Sequence, residues 1–106
     1  MNTLFSIIVP VYNRPEEVRE LLLSLHQQDF QKDYEVVIVE DGSLESSEKV
    51  VEKFQDSLNI SYHFKENSGP GDSRNFGMQK AKGNYFIILD SDCILPKQYL
   101  SEVDKE

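Results

Sequence analysis

Asp90-Ser91-Asp92 follows directly on Tyr85-Phe86-Ile87-Ile88-Leu89, the most hydrophobic run in the second half of the chain. Two carboxylates one residue apart, at the end of an expected buried strand, repel each other unless a cation intervenes. A hard divalent cation with oxygen ligands relieves that repulsion and brings with it an anionic ligand such as a diphosphate. The same triplet also suits a plainer task, a strand-end turn in which Asp and Ser cap the next helix. Three further polar clusters follow apolar runs: Tyr12-Asn13-Arg14, Glu40-Asp41-Gly42-Ser43, and Asn67 through Arg74. Asp41 is either a turn residue or a carboxylate accepting a hydrogen bond from a base edge or ribose. Arg74, behind a glycine loop at a helix start, has a fork suited to a phosphate or a base carbonyl, or pairs with an acid on the solvent side. Tyr12 offers a flat face for stacking a base, or simply packs.

The elements that must position these groups are legible in the apolar periodicity. Phe5-Ser6-Ile7-Ile8-Val9-Pro10-Val11 and Tyr34 to Val39 read as buried strands rich in β-branched residues. Asn13 and Pro15 open a helix with Glu16 in capping-box spacing, and Val18, Leu21, Leu22 and Leu25 form its apolar face. A second helix carries Val50, Val51, Phe54 and Leu58. Ile60, Tyr62 and Phe64 alternate with polar residues, which suits an edge strand buried on one side. A short helix is expected from about Ser73 to Lys82, stopped by Gly83; Tyr85 to Leu89 form the fourth buried strand, and Pro96 opens a last helix with Tyr99, Leu100 and Val103. Strands alternating with helices imply right-handed crossovers and a parallel sheet, whose ligands bind outside the carboxyl ends of the strands. Each polar cluster lies at such an end, and that convergence is the functional signal.

Several classes are excluded. The Gly69-Pro70-Gly71 turn has Arg74 where a dinucleotide fingerprint needs glycine, and it follows the third strand rather than the first. No Walker A sequence is present, and Tyr12-Asn13-Arg14 does not supply the acids a response-regulator receiver needs after its first strand. A net charge of −8 argues against nucleic acid as partner, though not against one phosphorylated ligand held by a metal. Cys93 is the single cysteine, so no internal disulfide forms and a reducing, cytoplasmic setting is expected. Cys93 reads as a small half-buried residue, and His26 and His63 as structural or surface side chains. The N-terminus shows no basic region or small-residue cleavage site, so no signal peptide is read.

The motifs together resemble those of the family 2 glycosyltransferases of the GT-A fold. They are Ser6-Ile7-Ile8-Val9-Pro10-Val11-Tyr12-Asn13, Val37-Ile38-Val39-Glu40-Asp41-Gly42-Ser43, Asn67-Ser68-Gly69 with Ser73-Arg74-Asn75-Phe76-Gly77, Ala81-Lys82-Gly83-Asn84-Tyr85, and Leu89-Asp90-Ser91-Asp92. Each is weak alone, but they keep family order and spacing over nearly the whole chain. The resemblance implies an α/β, mostly parallel GT-A sheet, with residues 1–106 as the N-terminal, nucleotide-sugar-binding half. It implies donor contacts from Pro10, Tyr12, Asp41, Arg74, Asp90 and Ser91. Tyr12 would line the base pocket and Asp41 would hydrogen-bond the base, typically uracil. Arg74 would help hold the nucleotide, and Asp90 would contact the ribose or reach the metal through water. Asp92 would ligate Mn²⁺ or Mg²⁺ bridging the diphosphate of a nucleotide diphosphate sugar, a UDP-sugar by expectation. Two positions depart from the family pattern: Ser73 stands where Ala is frequent, and Cys93 where a further Asp is frequent. The implied reaction is inverting sugar transfer to an acceptor hydroxyl. The family's general base lies well beyond the Asp-x-Asp, so the chain is expected to be a piece of a longer enzyme that binds donor without transferring sugar. Its sheet edge is expected to favour self-association. A non-catalytic nucleotide-binding module and a nucleotidyltransferase are the alternatives, the latter disfavoured because Tyr12-Asn13-Arg14-Pro15 is not a Gly-rich basic loop.

Overall fold

Successive strand residues point to opposite faces, and in this chain both faces are apolar, so the sheet must be covered on both sides. The computed structural model, which describes residues 5–28 and 33–104, has that arrangement. Residues 1–4, part of the stretch on which the signal-peptide reading rests, lie outside the described residues. The elements run β1 (Phe5–Val11), α1 (Pro15–His26), β2 (Tyr34–Asp41), α2 (Glu48–Glu52), β3 (Ile60–Lys65), α3 (Pro70–Lys80), β4 (Tyr85–Ile88) and α4 (Tyr99–Asp104). The four strands form one sheet in the order β3-β2-β1-β4, and every pairing is parallel.

Phe5, Ile7, Val9 and Val11 of β1 and Val36 and Ile38 of β2 face one core, filled by Val18, Leu21, Leu22 and Leu25 of α1, Val51 of α2 and Leu100 of α4. Ile8, Val37 and Val39 face the other, where Phe76 and Met78 of α3 and Ala81 pack. On that second face Ser6 and Glu35 are cross-strand partners, and the Ser6 hydroxyl donates to Glu35 Oε2 at 2.6 Å. The Lys82 and Gly83 amides donate to Glu35 Oε2 and Ser6 Oγ at 2.5 and 2.7 Å, pinning the chain as it enters β4. A Cβ on Gly83 would lie 2.8 Å from the Ser6 amide nitrogen, so this close approach needs glycine. The helix itself ends earlier than expected, at Lys80, with Ala81 already extended.

Three local expectations are corrected. β4 is an exposed edge rather than a buried strand: Tyr85, Phe86 and Ile88 are 63%, 46% and 40% exposed. The reason is topological, since β4 pairs only with β1 and α3 packs beneath β1 and β2. α3 begins at Pro70, because proline at the first helical position needs no amide partner and carries a pre-set φ. The capping box at α1 does not form. Arg14 occupies the N-cap without a side-chain cap bond, and Asn13 takes a left-handed φ of 53°. β3 is the opposite edge, as expected, with Ile60 and Tyr62 turned to the larger core. No described helix is long and apolar enough to cross a membrane.

Candidate functional site

The sheet order reverses beside β1: the chain moves outward from β1 to β2 to β3, then returns to the far side of β1 as β4. In a parallel sheet such a reversal splays the loops at the carboxyl ends of the strands that flank it, here β1 and β4, and opens a crevice there. A cavity of about 600 Å³ lies at this point, lined by Pro10, Tyr12, Asp41, Arg74, Asp90, Ser91 and Asp92. Every site residue expected from the sequence is therefore on one wall system. The cavity volume is in the range of small-ligand pockets.

The first loop is held by Asn13. Its amide donates to Ser43 Oγ at 2.8 Å, and its side-chain oxygen accepts from the Leu44 and Glu45 amides at 2.7 and 3.1 Å. The carboxamide that the sequence suggested as a helix cap thus ties the β1 loop to the β2 loop. Tyr12, just before it, is 52% exposed, so its ring stands open to a ligand face.

The second loop is anchored from below by Glu40, which is fully buried. Its Oε1 accepts from the Ser47 amide at 2.8 Å, the Ser47 hydroxyl at 2.7 Å and the Tyr62 hydroxyl at 3.1 Å, while Oε2 accepts from the Ser43 hydroxyl. Burial, with the Glu40 carboxylate adding to it, pushes the Tyr62 phenol up to about 12. Glu40 carried no signal of its own in the sequence beyond its place before Asp41.

Asp41, on the opposite face of β2, is 5% exposed. Oδ1 accepts from Lys65 Nζ at 2.7 Å and the Ser68 amide at 2.9 Å, and Oδ2 accepts from the Gly69 amide at 3.0 Å. Burial pushes its carboxyl up, but the Lys65 ammonium and the two amides outweigh burial and hold it below the usual carboxylate range. Gly42 follows in a left-handed conformation (φ 64°), and a Cβ there would meet the Asn67 amide nitrogen at 2.6 Å. The third loop can close over the second only because this residue is glycine.

Ser73 is buried and its hydroxyl donates to the Gly69 carbonyl at 3.1 Å, a bond that alanine would lack. Arg74, the next residue, is exposed on the cavity wall. In the fourth loop the Leu89 amide still donates to the Ile8 carbonyl at 3.0 Å, and the Cys93 amide closes a turn onto the Asp90 carbonyl at 3.1 Å. Asp90 and Asp92 are exposed on this turn. Cys93 is half-buried and packs against the larger core. His63 lies away from the cavity, edge-on to Phe76 at 5.8 Å.

Val11 and Glu17 also line the cavity without having been singled out in the sequence, and Arg14, Asn67, Gly69 and Ser73 line it from strand-end clusters that the sequence marked without giving those residues a role. Arg14 sits in the first strand-end loop and was legible there; Glu17 reaches the cavity only through the way α1 leaves β1. Arg14 Nε pairs with Glu17 Oε1 at 3.0 Å, and Asp41 pairs with Lys65. Among the described residues Arg74, Asp90 and Asp92 carry no ion pair, so the charges left to a ligand are one guanidinium and two carboxylates.

The carboxylate part of that set, Asp90 and Asp92, fits Mn²⁺ or Mg²⁺. It consists of hard oxygen atoms on an exposed turn, and no group of three or more His, Cys, Asp or Glu side chains gathers among the described residues. A small hard cation that keeps several waters and takes ligand phosphates needs only one or two protein carboxylates. A structural zinc or copper centre would demand more.

The sequence pattern described as Glycosyl transferase family 2 matches residues 6–104. The poly(ribitol-phosphate) β-N-acetylglucosaminyltransferase TarS of Staphylococcus aureus is 40% identical over 101 residues, which are 92% of this chain and 18% of that protein. The chondroitin synthase of Escherichia coli is 40% identical over 89 residues, 82% of this chain and 13% of that one. The crystal structure of TarS residues 1–349 with UDP-GlcNAc superposes with a TM-score of 0.91 at 39% identity, over 97% of this chain and 30% of that one. The mannosyltransferase of Pyrobaculum calidifontis, solved with GDP-Man and Mn²⁺, superposes with a TM-score of 0.81 at 26% identity, over 91% of this chain and 29% of that one. The four-stranded parallel sheet with its flanking helices is that of the GT-A glycosyltransferases. The chain spans less than a fifth of the length of the two curated relatives named here.

Proposed function

We propose, because this chain belongs to glycosyl transferase family 2, that its strand-end cavity binds the nucleotide part of a UDP-sugar for transfer of the sugar to an acceptor hydroxyl. The observation that carries the reading is the convergence of Tyr12, Asp41, Arg74, Asp90 and Asp92, from four separate loops, on one cavity at the sheet's reversal point. In this reading Pro10 and Tyr12 line the base subsite, and Tyr12 stacks on the ring. Asp41, an ionised acceptor with room on Oδ2 for a second donor, takes a ring N–H of the base. Arg74 pairs with a diphosphate oxygen. Ser91 and Asp90 would sit toward the ribose, and Asp92, with Asp90, would hold Mn²⁺ or Mg²⁺. When bound, that ion supplies Lewis-acid stabilisation of the charge on the departing diphosphate.

The reaction inverts the anomeric carbon: the acceptor oxygen attacks in line as the bond to the diphosphate breaks. The base that takes the acceptor proton must come within hydrogen-bond reach of it. Glu17 and Asp41 are already paired, and Asp90 and Asp92 are committed to the donor. In this reading none of the carboxylates lining the cavity among the described residues serves as that base, and the role described for these residues is donor binding.

Calorimetric titration with UDP, UDP-GlcNAc and GDP, with and without Mn²⁺, tests the reading. Asp92→Asn is expected to weaken Mn²⁺-dependent UDP binding at least about tenfold, because a lost carboxylate ligand is worth more than about 1.4 kcal/mol. Asp41→Asn is expected to cost about 1–3 kcal/mol of UDP affinity while leaving the metal requirement in place. Wild-type affinities in both variants would sink the proposal.

A further inference from the structure

The ion pair under the cavity is more than a strand-end contact. Asp41 and Lys65 are the last residues of β2 and β3 and are register partners in the parallel ladder. Lys65 Nζ donates to Asp41 Oδ1 at 2.7 Å, to the Glu66 carbonyl at 2.9 Å and to the Ser68 hydroxyl. An ammonium has three donors, so all of them are spent at the mouth of one loop. The two side chains are 12% and 7% exposed, which shields the pair from solvent and salt. Burying two charges carries a desolvation cost that a neutral turn residue would avoid. Lys65 does not line the cavity, whereas Asp41 does.

We propose that Lys65 is a positioning residue for base recognition, holding the Asp41 carboxylate ionised and fixed so that Oδ2 presents a permanent acceptor to the cavity. The inference rests on the reading that the cavity takes the base of a nucleotide. Lys65 and the Ser68 amide occupy Oδ1, and only the Gly69 amide occupies Oδ2. The open acceptor site therefore falls on one oxygen and one side, which selects a base presenting a ring N–H. Other charges around Asp41 are Arg14, Glu17, Arg74, Asp90 and Asp92 on the cavity wall, Glu66 beside Lys65, and Glu40 on the opposite face of β2. Burial favours the protonated Asp41, and the Lys65 ammonium heads the contacts that reverse this. Binding that needs the carboxylate ionised is lost as pH falls through its folded-state pKa. Without Lys65 burial is less opposed, and that loss comes at higher pH.

The test uses uridine without divalent ions, so that the groups serving the diphosphate and metal are not engaged. NMR titration of the 106-residue chain from neutral to acid pH compares wild type with Lys65→Met, Lys65→Arg and Asp41→Asn. Lys65→Met is expected to move the acid limb of binding to higher pH, and Lys65→Arg to return it toward wild type. A limb that does not move in Lys65→Met, with affinity lowered equally at every pH, would overturn the proposal and leave Lys65 a structural residue. Should Lys65→Met lose its far-UV circular dichroism, Lys65→Gln carries the same comparison. Asp41→Asn separates the two layers of the argument. Wild-type uridine affinity in that variant overturns the role of Asp41 itself, whereas a loss there beside an unmoved limb in Lys65→Met overturns the role of Lys65 alone.

Discussion

Removing the Glu40 side chain should damage the site from beneath. The carboxylate is fully buried and accepts from the Ser47 amide, the hydroxyls of Ser43 and Ser47, and the Tyr62 phenol. Glu40→Ala strips the acceptor from all of them. Tyr62 retains Ser46, its other partner at 2.9 Å, so the Ser43 hydroxyl, the Ser47 amide and the Ser47 hydroxyl are the groups left without one. Each buried donor left unmade costs about 1–3 kcal/mol, and the sum falls short of additive because water enters the space. The expected loss is about 3–5 kcal/mol, in line with breaking a buried charged network. A domain of this size has about 5–15 kcal/mol in all, so the variant folds marginally. The functional consequence runs through Ser43, which accepts the Asn13 amide at 2.8 Å and so holds the residue after Tyr12. Urea unfolding, followed by circular dichroism at constant slope, gives the stability change; UDP binding at low denaturant gives the site. A stability loss under about 1 kcal/mol would refute the account, because orphaned buried donors cannot be that cheap.

Gly83→Ala should lower the urea midpoint by the equivalent of about 1–3 kcal/mol, since the new methyl would press on the Ser6 amide and the Phe5 carbonyl carbon, which are backbone and cannot yield; an unchanged midpoint would show that β4 can back away. Tyr62 should titrate late, near 12, and Tyr34, raised by burial, should also lag, so phenolate absorbance of the folded chain should rise in more than one step. The sign follows from linkage: the stability that Tyr62 contributes is complete below its unfolded value near 10 and is lost as pH rises through about 12. A single step for all five tyrosines would contradict it. The exposed β4 edge should make the chain associate with concentration in sedimentation velocity, and Phe86→Lys, a charge on an unpaired edge, should hold it monomeric. A wild type that stays monomeric throughout would remove the edge as a contact.

The periodicities of Phe5–Val11, Tyr34–Val39 and Val18–Leu25 determined where strands and α1 lie, because burial on a repeating backbone is a local property of the sequence. Placing each polar cluster at a strand end followed from the same pattern, and it was enough to bring Tyr12, Asp41, Arg74, Asp90 and Asp92 to one side of a parallel sheet. Tertiary structure alone decided the strand order. That order put β4 at an edge despite its apolar composition and opened the cavity between β1 and β4 rather than elsewhere. It also decided the partners of the polar side chains. Asn13 stands in capping-box spacing with Glu16 yet bonds Leu44 and Glu45, because its left-handed backbone aims the carboxamide across to the neighbouring loop. Lys65 and Asp41 are 24 residues apart and meet only through the β2–β3 register. A hydrogen-bonding group has many acceptable partners within reach of its own sequence neighbours, and which one it takes depends on distances set by packing, which no local pattern encodes.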